Sequence, residues 1–494
     1  MASTIPDPLD GALPGGAFTP ADRPGRVETR GIDHIPDDER HGRARGLFAV
    51  WAAPNVSYLA LVVGGALVLT GLDLWQSLVL IVAGNLFWLL VGLLATSGPA
   101  AGAPSEVITR AMYGVRGNRV NVLVNGWFVS VCYVALNWAA AAIAAFALLD
   151  DAGVRAGTFV KIATTVVIAV ATLAISVYGH GTILKLYPLL TWALTVAFAV
   201  LAWYVAAHAH WDYRPAQPLH GKALWAALTA GLALIASAPL SYNNSADFSR
   251  YLPRSTSSRA VAAWTALGAF VPSVLFTALG TLAGTAVDMT DPQTSLGAIL
   301  PGWFEPVFLL SVIVGTIANN AMTAYSSGLA LQAVGLRLRR SRSVALDGAL
   351  GLALTLFALL VWDFLDTVSN MLQVMVVLLG PSMAIYAADI LVRRNRYDGR
   401  ELGVETRDGR FWYTGGVNRA GAVALLIGAA VASQCVHTTA YTGEIARAMD
   451  GVDLSLPAGM LISAGLYVLL ARRVHADGPA AADGPAADGR AATR

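Results

Sequence analysis

The side chains of this chain that could do chemistry are neutral amides, hydroxyls and aromatic rings set inside long apolar runs. The first group is Ala52-Ala53-Pro54-Asn55-Val56-Ser57-Tyr58, and a near copy of it follows at Ala238-Pro239-Leu240-Ser241-Tyr242, continued by Asn243-Asn244-Ser245. Two more groups are Asn125-Gly126-Trp127 and the stretch that holds Thr316, Asn319, Asn320 and Thr323. A proline inside an apolar run removes one backbone donor and frees carbonyls, which must then find another partner because hydrocarbon supplies none. Asn offers both a donor and an acceptor, and aromatic faces stack on flat rings. Together these tools suit recognition of a small planar heterocycle rather than bond-breaking.

Charge is scarce where the polar groups are dense. Asp73 and Asp288 fall at run ends or in connections, and Glu106 sits in a Gly/Pro-rich connection. A carboxylate at the centre of a bilayer costs several kcal/mol, so a site built here is expected to hold its ligand without a strong ionic anchor. Asp247 and Arg250, three residues apart, are expected to pair on one helix face; with Pro54 and Pro239 they are assigned structural or gating roles. His208, His210 and His220 lie in a connection without fixed ligand spacing. Cys132 and Cys435 lie inside apolar runs and read as small buried residues. No phosphate loop or catalytic motif is present. The chain is therefore not expected to be an enzyme, and neither a cofactor nor a metal other than Na⁺ is expected.

These groups must be positioned by membrane helices. Of the 494 residues, 56% are hydrophobic and only 13% charged, and the mean hydropathy is +0.59, which exceeds what a soluble globular chain of this size carries. The net charge of +2 gives no reason to expect a nucleic-acid partner. Apolar runs of about 20 residues, the length of one crossing, occur near 46–70, 75–96, 119–149, 159–178, 182–208, 223–249, 259–286, 304–332, 343–361, 370–392, 419–437 and 454–472, here called spans 1 to 12. If the N-terminal tail is cytoplasmic, the connections on its side hold eighteen Lys and Arg residues and those opposite hold five, as the positive-inside rule requires. Residues 1–45 and 473–494 read as disordered cytoplasmic tails, 46–208 as a first five-helix repeat, 223–392 as a second, inverted one, and 419–472 as accessory spans 11 and 12. The two interrupted spans, 1 and 6, then come first in halves of opposite orientation, which is where inverted-repeat transporters place a midplane substrate site. A monomer in the cell membrane is expected, with the lipid bilayer and a small neutral solute as partners.

Four segments carry a family resemblance: Gly31-Ile32-Asp33-His34-Ile35-Pro36-Asp37-Asp38-Glu39-Arg40, Ala111-Met112-Tyr113-Gly114 with Gly117-Asn118, Asp247-Phe248-Ser249-Arg250-Tyr251-Leu252-Pro253, and Tyr325-Ser326-Ser327-Gly328-Leu329-Ala330-Leu331-Gln332. By these the chain resembles the nucleobase:cation symporters, in their purine-cytosine permease branch. The resemblance implies an all-α polytopic membrane protein of twelve transmembrane helices, with a LeuT-like five-plus-five inverted repeat and broken helices 1 and 6. It further implies import of a cytosine- or purine-type base with H⁺ or Na⁺ by alternating access. A related heterocycle such as uracil, allantoin, hydantoin or a vitamin-like compound is the alternative, and a non-transporting receptor a more remote one. In the family the ring stacks on aromatics of helices 3 and 6, and amides of helices 3 and 8 read its edge; Trp127 looks like the helix 3 ring. The amide that some members carry one turn later falls on Val131, and the helix 6 Trp of relatives is replaced around Ala238 and Ser241, which leaves Tyr242. The expected substrate site is thus Trp127, Asn55, Ser57, Asn125, Ser241, Tyr242, Asn319, Asn320 and Thr323. Ala52, Asn55, Thr316 and Asn319 would hold a cation, although the Ser-Thr pair of Na⁺-coupled relatives is not evident near Thr316, which favours H⁺.

Overall fold

The structure, a computed structural model, describes residues 31–155, 157–178, 180–290, 292–336, 340–361 and 364–476. The expected tail segments 1–30 and 477–494 lie outside the described residues. Every one of the twelve apolar runs contains helix. Among the described residues ten helices are long and apolar enough to cross a membrane, or eleven when the bent pair Gly46–Asn55 and Tyr58–Leu69 is one span. Span 11, Arg419–Cys435, is a shorter apolar helix of 17 residues.

Span 1 bends by 54° between its two helices. Pro54 sits in the last turn of the first, and Val56 and the extended Ser57 link it to the second. The polar residues around the proline supply the partners that the helix no longer provides: Asn55 Nδ2 donates to the Trp51 carbonyl at 2.8 Å, and Asn319 Nδ2 of span 8 donates to the Pro54 carbonyl at 3.1 Å. Span 6 runs as helix over Gly221–Leu240, with Pro239 in its final turn, then as turns and a single 3₁₀ turn at Ser245–Phe248. Its backbone there is met by Ser241 Oγ, which donates to the Ala238 carbonyl at 2.7 Å, and by Ser105 Oγ, which accepts the Ala246 N–H at 3.1 Å, while two later serines fasten it to span 2. Ser245 Oγ donates to the Val91 carbonyl at 3.0 Å and Ser249 Oγ to the Ala95 carbonyl at 2.6 Å.

Spans 1 and 7 touch backbone to backbone. A Cβ on Gly64 would run into the Thr277 carbonyl, and one on Gly280 into the Leu61 carbonyl; Thr281 Oγ1 bridges the contact to the Gly64 carbonyl at 2.8 Å. Small residues allow this approach, and dispersion between the close backbones holds helices together where lipid gives no hydrophobic drive. Span 3 is longer than the expected run, Val115–Asp151, and contains a π-helical stretch at Val122–Phe128.

Residues 31–45 belong to the segment expected to be a disordered tail, yet they pack on the bundle. The Ile35 side chain is buried and its N–H donates to the Gly102 carbonyl at 2.8 Å, while Arg40 Nη1 donates to the Pro99 carbonyl at 2.8 Å. The polar composition that suggested disorder is spent on capping exposed carbonyls of the 98–102 turn.

Substituting Gly280 by Ala forces the Leu61 backbone to shift and is expected to cost about 1–3 kcal/mol of stability. Gly46→Ala, whose Cβ meets nothing within 4 Å, is expected to be neutral. Thermal unfolding of the two detergent-purified variants checks the contrast.

Candidate functional site

A cavity lies at the two breaks, bounded by spans 1, 3, 6, 7 and 8, with about 60 Å³ in which water-sized bodies can be centred. Pro54, Asn55 and Ser57 enter it from span 1, Ser241, Tyr242 and Asn244 from span 6, and Asn319 and Thr323 from span 8. Span 3 contributes Val129, Ser130, Tyr133 and Asn137, and span 7 contributes Ser273 and Thr277. No Asp, Glu, Lys, Arg or His lines the cavity.

Tyr242 is held from three sides. Its ring meets Trp51 edge-on at 5.2 Å and lies tilted against Trp88 at 5.4 Å, and its hydroxyl donates to Asn319 Oδ1 at 3.2 Å. Trp88 is itself fixed by its Nε1 donating to Asn85 Oδ1 at 3.1 Å. Asn319 therefore ties the break of span 1 to the aromatic of span 6, since its amide nitrogen is already given to the Pro54 carbonyl. Across the cavity, Tyr133 donates to the Ser237 carbonyl at 3.0 Å. Asn137 Nδ2 donates to Asn320 Oδ1 at 3.0 Å, and Asn320 Nδ2 donates to the Val134 carbonyl at 2.9 Å. The Asn244 side-chain oxygen is buried with no partner, which leaves an acceptor available to a ligand.

Of the expected substrate residues, the structure brings Asn55, Ser57, Ser241, Tyr242, Asn319 and Thr323 together. It does not bring Trp127, Asn125 or Asn320 to the cavity. Trp127 is half-buried beside Val122, Ala330 and Ala333, and its indole N–H donates to Asp347 of span 9. The reason is register: Trp127 stands six residues before Tyr133, about 240° around a helix of 3.6 residues per turn, and the π-helical turn at Val122–Phe128 shifts that face further. Asn125 donates to Asn121 Oδ1 at 3.0 Å and lines a separate small cavity. Asn320 is fully buried and spent on span 3.

Among the expected cation residues, Asn55 and Asn319 reach the cavity, whereas Ala52 and Thr316 are buried outside it. The Ala52 carbonyl accepts the Val56 N–H at 3.0 Å. Pro54 lines the cavity, and Pro239 does not, although Ser237, Ala238 and Ser241 on either side of it do. Asp247 and Arg250 are fully buried, and each is anchored on other elements. Asp247 accepts from the Ser105 N–H at 2.9 Å and from Ser326 Oγ at 2.6 Å, while Arg250 donates to the Gly31 carbonyl and to the Tyr325 hydroxyl.

The expected site did not include Tyr133, Asn137 or Asn244, although Asn244 stands in the polar run that follows Pro239. The first two had a signal. They repeat, at i and i+4, the aromatic-then-amide spacing that fails at Trp127 and Val131.

Comparison with known proteins agrees with this architecture. Residues 34–459 match the family model described as a permease for cytosine/purines, uracil, thiamine, allantoin. YxlA of Bacillus subtilis (strain 168), provisionally named a purine-cytosine permease, is 27% identical over 459 residues, covering 90% of this chain and 96% of that protein. Among solved structures, Mhp1, a nucleobase-cation-symport-1 family transporter, in a closed conformation with bromovinylhydantoin bound, superposes with a TM-score of 0.69 at 16% identity, covering 94% of this chain and 97% of that one. Inward-facing Mhp1 gives 0.66 at 17% identity over 91% and 95%. At such identities these two likenesses show the fold. The match over 34–459 shows more: this chain belongs to the family of membrane permeases for cytosine/purines, uracil, thiamine and allantoin.

Proposed function

We propose that this chain imports a small, neutral, planar base of the cytosine or purine type by symport with H⁺ or Na⁺, alternating access between the two sides of the cell membrane. The observation that carries this reading is the cavity itself, which has two tyrosine rings and four amides, Asn55, Asn137, Asn244 and Asn319, and no charged side chain. Tyr133 and Tyr242 supply flat faces and the amides supply edge-reading donors and acceptors, the balance that a heterocycle with amide-like edges requires. Tyr133 and Asn137 take the parts expected of Trp127 and the residue one turn after it. Uracil, allantoin or a hydantoin-like ring offers similar edges, so the family description supports these as the second reading.

On coupling, the expected cation residues lend more support to H⁺ than to Na⁺. The Pro54 carbonyl already accepts from Asn319 and the Ala52 carbonyl from Val56, so few oxygens at the break of span 1 are left for a Na⁺ shell. The loop charges support a cytoplasmic location for both termini.

Reconstituted protein is expected to accumulate at least one of labelled cytosine, adenine, hypoxanthine, uracil and allantoin, saturably and under an inward H⁺ gradient. Accumulation of none under either an H⁺ or a Na⁺ gradient refutes the reading. Tyr242→Ala is expected to weaken base affinity by about tenfold through loss of stacking. Trp127→Ala is expected to change it less than about twofold, as substitutions away from a site usually do. Competition binding on both variants decides which aromatic faces the substrate.

A further inference from the structure

A second, smaller cavity lies one turn along span 3 from the first, toward the end of the bundle covered by residues 31–45. It has about 20 Å³ of space and is lined by Ser105, Glu106, Asn125, Asn243, Ser382 and Tyr386, among others, enough room for one water among polar partners. Two of its buried side chains point polar atoms at nothing: Glu106 Oε2 and Asn125 Oδ1 have no hydrogen-bond partner, and both residues are at most 4% exposed.

The charges around this cavity do not balance. From the end of span 6 come Asp247 and Arg250; from span 10 comes Tyr386. Two buried carboxyls thus share one buried guanidinium. Asp247 is supplied as a carboxylate would be, by the Ser105 N–H and the Ser326 hydroxyl. Glu106 has the bare oxygen. The Glu106 carboxyl also lies within hydrogen-bonding reach of Asp247, a bond that two carboxyls make only when one of them is protonated; two buried carboxylates side by side are costly, and one proton removes the cost.

We propose that Glu106 is the proton-binding group of this transporter, protonated when the 105–109 turn is clasped to the end of span 6 and ionised when the two separate. The proposal rests on the symport reading above and names the site of its H⁺. Burial, and then the neighbouring Asp247 carboxylate, lift the Glu106 carboxyl well above the usual glutamate range.

The clasp is built from Ser105. Its N–H donates to Asp247 and its Oγ accepts the Ala246 N–H at 3.1 Å, so the turn that carries Glu106 is joined directly to the first turn after the break of span 6. Ser326 ties span 8 to the same carboxylate. Proton loss at Glu106 leaves two negative carboxyls facing each other across this joint. The repulsion favours parting the connection that follows span 2 from the end of span 6, and regaining the proton favours closing it. A ligand or proton that binds one arrangement better than the other shifts the equilibrium by that difference. The amide ladder Asn118, Asn121 and Asn125 climbs from the Glu106 carbonyl along span 3 to within one turn of Val129 in the substrate cavity, so the proton site and the substrate site are connected through one helix face.

Two measurements on the purified full chain test this, with Glu106→Gln as the isosteric mimic of the protonated acid, Glu106→Asp retaining a titratable group and Asp347→Asn as a control on another buried carboxyl. The first needs no transport. An acid whose value is raised on folding binds more protons in the native state, so native stability falls as pH climbs from the usual glutamate range through the raised one. The melting temperature of the wild type should therefore fall with rising pH in that window. In Glu106→Gln the fall should shrink or vanish, while Glu106→Asp keeps it.

The second measurement is made in proteoliposomes. Glu106→Gln should lose H⁺-driven accumulation of base by about tenfold or more, a coupling free energy of ordinary size, yet still exchange labelled for unlabelled base. Undiminished H⁺-driven accumulation in Glu106→Gln, or its loss in Asp347→Asn instead, overturns the proposal while leaving symport standing. Wild type driven by Na⁺ and indifferent to H⁺ overturns it likewise. Wild type that accumulates no base under either gradient overturns the proposal and the transport reading together.

Discussion

The constraint on which the rest of this structure depends is that a backbone in hydrocarbon must satisfy its own hydrogen bonds. Span 1 breaks at a proline and the α-helix of span 6 ends just after one, and the backbone freed at each place has to be met by side chains. Asn319 closes the first by donating to the Pro54 carbonyl; at the second, Tyr133 donates to the Ser237 carbonyl and Ser241 Oγ to the Ala238 carbonyl. The side chains that make these repairs are necessarily neutral and polar, and they necessarily gather at the breaks. The central cavity follows from that requirement, because groups that repair the backbone also form a polar surface deep in the bundle.

Charge is segregated from this surface. The central cavity holds none, while the end of the bundle covered by residues 31–45 holds Arg40, Glu106, Arg110, Asp247 and Arg250, and Arg110 reaches Glu405. Close to the aqueous boundary such groups cost less than at the midplane. They also join different halves of the chain, since Asp247 takes bonds from both the 105 turn and span 8, and Arg250 holds the N-terminal segment through the Gly31 carbonyl. A joint made of charge and hydrogen bonds can part and reform with little loss of packing, whereas the Gly64 and Gly280 contact between spans 1 and 7 is steric and resists separation. The molecule thus places its close backbone contacts and its charged, hydrogen-bonded ones in different parts of the bundle.

Tyr242 shows how an aromatic is made into a rigid platform. Trp51 and Trp88 pack on its ring and Asn319 receives its hydroxyl, so its orientation is set before any ligand arrives. Preorganisation of this kind spares a ligand the entropy of ordering the site. Because the same Asn319 binds the Pro54 carbonyl, the break of span 1 is joined to this ring through one side chain.

The sequence by itself determined the membrane class, the twelve apolar runs, the prolines at 54 and 239 and the neutral polar residues beside them, because hydropathy, proline and the scarcity of charge in the apolar runs act locally and leave their mark in the letters. It also fixed the cavity-facing residues next to the breaks, Asn55, Ser57, Ser241, Tyr242 and Asn319, where a polar residue in an apolar run has few other places to go. Only the tertiary structure decided the face of span 3. Trp127 and Tyr133 are equally plausible ring platforms in one dimension, but the π-helical turn and the packing of span 9 send Trp127 to Asp347 and leave Tyr133 and Asn137 facing the cavity. The same holds for Glu106, whose unbalanced carboxyl arises from contact with a segment about 140 residues away, and for residues 31–45, whose polar composition conceals a docking segment. Helical register after a π turn and the pairing of distant charges are properties of assembled helices, and composition and spacing carry neither.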